Sequence, residues 1–228
     1  MCGIIGNISR VKPIEQNQLE DLINYSKQLD RRGPDFFDYY LDDSKKIYFG
    51  HTRLSIIDLT ENANQPIETK DKRYVIVFNG EIYNFKELFN QIPSSDNFIS
   101  QSDTRVLTEY LACFGVEKTL KDIRGMFAIS IFDKKKNLLY LARDFFGKKP
   151  LFFYFSSNSI FFSSTLKPII LNKNIKKNIN LNSLDHYFNY GFCPNSNSIF
   201  EEIHKVPPNT FILFDLNKWN FTKYSIHS

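Results

Sequence analysis

The sequence is poor in the residues that build cross-linked frameworks and cofactor sites. Its 228 residues include three Cys, two Met, one Trp and four His. Cysteines at positions 2, 113 and 193 are odd in number and scattered, so they form no disulfide framework and fit a reducing compartment. A cytoplasmic location is therefore expected. His51, His186, His204 and His227 have no metal-ligand spacing, and no bound metal is expected. No apolar run reaches the length of a membrane span; the longest candidate, Leu151 to Phe162, is broken by Ser156, Ser157, Asn158 and Ser159. A charged and then apolar leader is missing from the N-terminus, and no glycine-rich loop reads as a nucleotide site. The lysines are dispersed among asparagines, as in Lys173 to Asn178, with no basic stripe carrying interleaved aromatics. These absences argue against a nucleic-acid or membrane partner.

What is present is enough for a large core. Aromatics make up 16% of the chain, with 23 Phe, against 24% charged residues and a net charge of +4. Gly3 to Ile8 reads as a short apolar strand. Leu19, Leu22, Ile23, Ser26 and Leu29 keep helical spacing, which predicts a helix over 16–29, closed by Gly33-Pro34-Asp35. Further strands are predicted at 46–50, 53–58 and 74–78, and Asn79-Gly80 is a strong hairpin signal. Helices follow over 85–90 and 104–114, the second with Ser102 or Asp103 as N-cap. Four strand patterns come next, at 127–132, 138–142, 151–155 and 160–163, each pair parted by turn residues. The prediction is a layered α+β fold with two mostly antiparallel sheets and helices outside them. The polar stretch 172–180 marks the best boundary. Beyond it lie a helix over 183–190 and a strand over 211–215.

Few side chains offer chemistry. Cys2 becomes the terminal residue if Met1 is removed, and its α-amine, with an ordinary pKa of about 7.7–8.0, could then take the thiol proton, placing nucleophile and base in one residue. A cysteine at position 2 is, alone, more often incidental. Asn79 and the Gly80 N–H together are what an oxyanion hole requires, yet Asn-Gly is equally the favoured two-residue turn. Arg53 could hold a carboxylate in bidentate fashion or simply pair with a neighbour. Asp103 could meet a substrate ammonium or cap its helix. Cys113 and Cys193 read as core or loop residues.

Several stretches taken together are more specific. Met1-Cys2-Gly3-Ile4, Arg32-Gly33-Pro34-Asp35, Arg53-Leu54-Ser55-Ile56-Ile57-Asp58, Phe78 to Asn84, Ser102-Asp103-Thr104, Arg124 to Ala128, and Ala142-Arg143-Asp144 with Gly147 and Lys149-Pro150-Leu151 recur in one family. The chain resembles the N-terminal glutaminase domain of glutamine-hydrolysing asparagine synthetases, a class II amidotransferase, from Met1 to about Asp215. That resemblance implies a four-layer αββα sandwich of the N-terminal-nucleophile hydrolase type. It implies Cys2 as nucleophile, Asn79 and Gly80 as oxyanion donors, Arg53 for the glutamine α-carboxylate, Asp103 with Glu81 for its ammonium, and Leu54, Ser55, Ile56 and Ile57 as walls of the site. L-glutamine is the implied substrate. Residues 1–180 would form the glutaminase domain and 181–228 a linker toward a synthetase domain. The pyrophosphate loop of that domain, Ser-Gly-Gly-x-Asp-Ser, does not occur in this chain; ATP and magnesium would belong there, and the glutaminase half would need no cofactor. A synthetase domain or subunit as ammonia acceptor and a homodimer are implied partners. Arg31, Thr165 and Arg105 depart from the family pattern outside the residues that would touch glutamine. A catalytically silent module that binds or regulates a synthetase is the alternative reading.

Overall fold

A computed structural model describes residues 1–56, 58–93, 102–194 and 197–227. The chain runs β1 (Gly3–Ser9), α1 (Gln16–Lys27), β2 (Phe36–Leu41), β3 (Ile47–Arg53), a 3-10 turn at Glu61–Ala63, β4 (Ile67–Glu68), β5 (Tyr74–Ile82), α2 (Phe85–Phe89), α3 (Asp103–Phe114) and α4 (Val116–Asp122). It continues with β6 (Gly125–Asp133), β7 (Leu138–Arg143), β8 (Phe152–Phe155), β9 (Ser159–Ser163), α5 (Leu166–Leu171), α6 (Leu181–Tyr190), β10 (Ile203–Lys205), β11 (Thr210–Asp215) and β12 (Asn220–Ser225). Two six-stranded sheets result, ordered β10-β8-β9-β1-β3-β2 and β12-β11-β7-β6-β5-β4, and neighbouring strands pair antiparallel.

Strand alternation divides the apolar residues into three cores. Ile4 and Ile8 of β1 and Phe49 of β3 face Val75 and Val77 of β5 and Leu141 of β7 between the sheets. Ile5, one residue out of phase, faces Leu22 and Ile169 on the outer side of the first sheet. Ile76 and Phe78 cover the opposite side, against Leu88, Val106 and Tyr110. Helix, sheet, sheet and helix therefore stack in four layers, the αββα arrangement.

The largest differences from the sequence-based expectation concern boundaries. Asn79-Gly80 is not a turn: β5 runs through it, with Asn79 opposite Ala128 and Gly80 opposite Phe127. The strands predicted at 46–50 and 53–58 are one strand, β3, which ends at Arg53; the predicted helix over 16–29 stops at Lys27. β2 was not predicted, because its half-buried sequence Phe-Phe-Asp-Tyr-Tyr-Leu shows no clean alternation. The predicted linker 181–228 also needs correction, since β11 lies inside the second sheet, hydrogen-bonded to β7 and β12. Phe214 and Ile212 of that strand are wholly buried between the sheets, so the sandwich requires residues well beyond 180.

Candidate active site

One end of the sandwich gathers the polar residues singled out in the sequence. Cys2 immediately precedes β1, Arg53 closes β3, and Asn79 lies near the end of β5 on the same inward face as Val75 and Val77. A cleft of about 330 Å³ at this end is lined by Cys2, Arg53, Leu54, Ile56, Asn79, Gly80, Glu81 and Asp103, and also by Met1, Gln65, Met126 and Lys149. Ser55 is turned from the lining, its N–H donating to Asp35 Oδ2 at 2.7 Å. Ile57 lies outside the described residues.

Cys2 is held by one backbone and one side-chain donor. Leu54 N–H donates to its sulfur at 3.5 Å, and Arg32 Nε donates to its carbonyl at 3.1 Å. Burial pushes the thiol pKa up, with the Leu54 hydrogen bond opposing. The resting group is therefore a thiol that needs a base. The Arg-Gly-Pro-Asp stretch, given no role from sequence, braces this corner. Asp35 ties to both Arg53 and Ser55, while Gly33 sits so close to β3 that a Cβ there would lie 2.3 Å from the Thr52 carbonyl oxygen.

Asn79 is 1% exposed, and neither end of its side-chain amide has a hydrogen-bond partner among the described residues. Such a group is costly to leave unpaired and points to a ligand. The Gly80 N–H is spare for a topological reason. Phe127, opposite Gly80, directs its N–H to Asp144 Oδ2 and its carbonyl to Asp144 N, both on the β7 side. In an antiparallel ladder, that makes Gly80 and Phe127 a pair without mutual hydrogen bonds. The outward donors along β5 are thus those of Phe78, Gly80 and Ile82. Gln65 Oε1 accepts the first at 2.6 Å and Asp103 Oδ2 the third at 3.1 Å. No side chain accepts the middle one among the described residues. Glycine is required here by space: a Cβ on Gly80 would stand 2.1 Å from the Met126 carbonyl oxygen.

Charged residues of both signs line the cleft. Arg53 Nη1 donates to Thr60 O at 2.8 Å and to Asn64 Oδ1 at 2.6 Å, and Nη2 donates to the Asp58 carbonyl. These bonds fix the guanidinium and leave its Nε–H and one Nη2–H without a partner among the described residues, donors enough for a carboxylate. Asp103 opens α3 but is not its N-cap. Ser102 Oγ caps the helix by accepting from Arg105 N–H, and the buried Asp103 carboxylate accepts from Ile82 and Thr104 N–H groups. Burial raises the Asp103 pKa and the nearby Glu81 carboxylate adds to the rise, while the two backbone donors oppose it.

Three contributors were not legible in the sequence. Gln65 and His51 hold Phe78, the residue before Asn79; His51 is buried and its Nε2 lies 3.3 Å from the Phe78 carbonyl oxygen. Lys149 reaches the cleft from a loop pinned by Asp144, whose carboxylate accepts the N–H groups of Phe127, Phe146, Lys148 and Lys149. The Arg143-Asp144 pair with Gly147 was the available signal for that loop. Among the described residues no group of three or more His, Cys, Asp or Glu could hold a metal ion, and no helix is long and apolar enough to cross a membrane.

A thiol at the start of the first central strand, facing a spare amide and a spare N–H at the end of an αββα sandwich, defines an N-terminal-nucleophile type of domain. The glutamine amidotransferase domain model matches residues 1–225, and the chain belongs to that class II amidotransferase family. It is 34% identical to a putative asparagine synthetase [glutamine-hydrolyzing] 2 of Methanocaldococcus jannaschii over 98% of this chain and 46% of that protein. It is 36% identical to asparagine synthetase [glutamine-hydrolyzing] 1 of Bacillus subtilis over 91% of this chain and 32% of that protein. The chain thus spans from about a third to just under half of the length of these relatives. The fold is shared with the glutamine phosphoribosylpyrophosphate amidotransferase of B. subtilis, at a TM-score of 0.66 and 16% identity, covering 99% of this chain and 49% of that one.

Proposed function

We propose that this domain hydrolyses L-glutamine to glutamate and ammonia through a Cys2 thioester. The observation that carries the reading is the unpartnered Asn79 amide beside the spare Gly80 N–H, in the cleft that Cys2 lines. With Met1 removed, the Cys2 α-amine takes the thiol proton, and the sulfur attacks the glutamine side-chain carbonyl carbon. Asn79 Nδ2–H and Gly80 N–H donate to the oxyanion. The protonated amine then gives its proton to the departing nitrogen, ammonia leaves, and a γ-glutamyl thioester remains. Water, losing a proton to the same amine, attacks the thioester, and the thiol is restored as glutamate departs. The free Nε/Nη2 edge of Arg53 receives the substrate carboxylate, and Asp103 with Glu81 receives its ammonium. Leu54 and Ile56 form the walls.

In this reading the ammonia serves asparagine synthesis in a synthetase domain or subunit, where ATP and magnesium would act; the names of the relatives support it. Leu181 and Phe188, seven residues apart on α6, are exposed apolar side chains on one face of that helix, and a face of that kind suits such a partner. A homodimer is a further expectation, and the free cysteines favour a reducing, cytoplasmic setting.

The test is glutamate release by protein whose intact mass shows loss of Met1. Cys2→Ala should abolish it. Turnover that survives this substitution, or that persists with Met1 retained, would sink the mechanism. Glutamine binding without turnover would establish the silent regulatory module instead.

A further inference from the structure

The two peptide groups flanking Phe78 are both held by buried side chains that the proposed reaction does not use. Gln65 Oε1 accepts the Phe78 N–H at 2.6 Å, and His51 Nε2 stands 3.3 Å from the Phe78 carbonyl oxygen. A carbonyl can only accept, so Nε2 carries the imidazole proton and Nδ1 is bare. Nδ1 has no partner among the described residues. Burial lowers the His51 pKa to about 3, keeping the ring neutral across the working range.

The need for such support follows from sheet topology. β4 pairs with β5 only at Ile67 with Ile76 and Glu68 with Val75. Beyond that point β5 is an edge, and among the described residues no strand neighbours the outward groups of Phe78. His51 shares its face of β3 with Phe49 and Arg53 and reaches across the gap between sheets to the Phe78 carbonyl. Gln65, just ahead of β4, replaces the strand that has ended. The carbonyl gripped by His51 belongs to the same peptide unit as Asn79 N, one residue from Gly80. A small rotation there would swing both oxyanion donors.

Resting on the glutaminase reading above, we propose that His51 and Gln65 are paired positioning residues that clamp the Phe78 peptides and so aim the Asn79 amide and the Gly80 N–H at the tetrahedral intermediate. The clamp acts on the transition state and leaves ground-state glutamine binding to Arg53, Asp103 and Glu81.

The test compares wild type with His51→Phe, which keeps the ring and removes the donor, and His51→Gln, whose amide can donate from near the Nε2 position. His51→Phe should lower kcat about ten- to a hundredfold with KM for glutamine changed less than about twofold. His51→Gln should restore most of the rate. The γ-semialdehyde of glutamate supplies a second readout. Its carbonyl adds the Cys2 thiol across the C=O bond, sulfur joining carbon and the proton passing to oxygen, so it samples the oxyanion site without a leaving group. Its affinity should fall in step with kcat, while that of glutamate holds. Should His51→Phe not fold, Gln65→Met carries the same comparison. Wild-type turnover with an undiminished His51→Phe rate, or an equal loss in kcat, KM and glutamate affinity, overturns the clamp alone. Absence of wild-type turnover overturns the glutaminase reading and the clamp with it.

Discussion

Replacing Asn79 by Leu, nearly the same shape without the amide, should make the protein more stable and almost inactive. Asn79 is 1% exposed, and neither its Oδ1 nor its Nδ2 has a partner among the described residues. Leaving a buried polar group unsatisfied costs about 1–3 kcal/mol, and an apolar group of matching shape removes that cost. Val75 and Val77 on the same face already pack among Ile4, Phe49 and Leu141, so the replacement extends an apolar row as far as the cleft. Allowing for imperfect fit, the gain should be about 1–2 kcal/mol. For a chain of this size that corresponds to a rise in Tm of about 2–8 °C. Activity should move the other way, because losing one oxyanion donor lowers kcat about 10²- to 10³-fold. Thermal unfolding by circular dichroism and glutamate release, measured on the same preparation, give both numbers. A loss of stability would mean that the amide is already satisfied in the free protein. A gain in stability with kcat retained would remove Asn79 from the oxyanion site.

Other expectations are directly measurable. The Asp103 carboxylate has its pKa raised in the folded chain, so deprotonation costs folding stability as pH rises through that value, and the charge needed for a substrate ammonium is lost early as pH falls toward it. KM for glutamine should therefore climb on the acid side, and Asp103→Asn should raise KM at pH 8 by about tenfold or more and flatten that climb. His51 is buried neutral with a pKa near 3, against about 6.5 when unfolded, so the unfolded chain binds the extra proton between those values. Its contribution to stability is complete above pH 6.5 and lost as pH falls, by about 1.4 kcal/mol per unit. Urea unfolding of His51→Gln between pH 4 and 6 should show a slope shallower by up to one proton. Gly80→Ala places a Cβ 2.1 Å from the Met126 carbonyl oxygen and must part β5 from β6, lowering both Tm and kcat. An alanine variant with wild-type rate and Tm would contradict the close approach.

Much of the layered architecture is legible in periodicity, since residues one position apart in β1 and β5 enter different cores. The edges are harder. α3 is recognisable because Ser102 caps an amphipathic run, whereas β2 and β12 present half-exposed faces with no alternating signal. The Asn79-Gly80 pair misleads for a definite reason. Its local turn preference is worth less than the ladder with β6 that carries β5 straight through it, and only the partner strand reveals this. Gln65 and His51 escape notice because their roles depend on a backbone N–H and a backbone carbonyl, respectively thirteen and twenty-seven residues away in the chain.

By itself the sequence determined the layered α+β class and the cysteine at its start, while the four-layer type and the roles of the residues at the site came with the family resemblance. Periodicity suffices for the layers, because burial preference is a property of the residues. Tertiary structure alone decided that the Gly80 N–H is spare, that Arg53 is anchored with one edge free, and that residues beyond 180 complete the second sheet. Each depends on which strand lies beside which, since pairing across the sheet fixes the direction of every backbone donor.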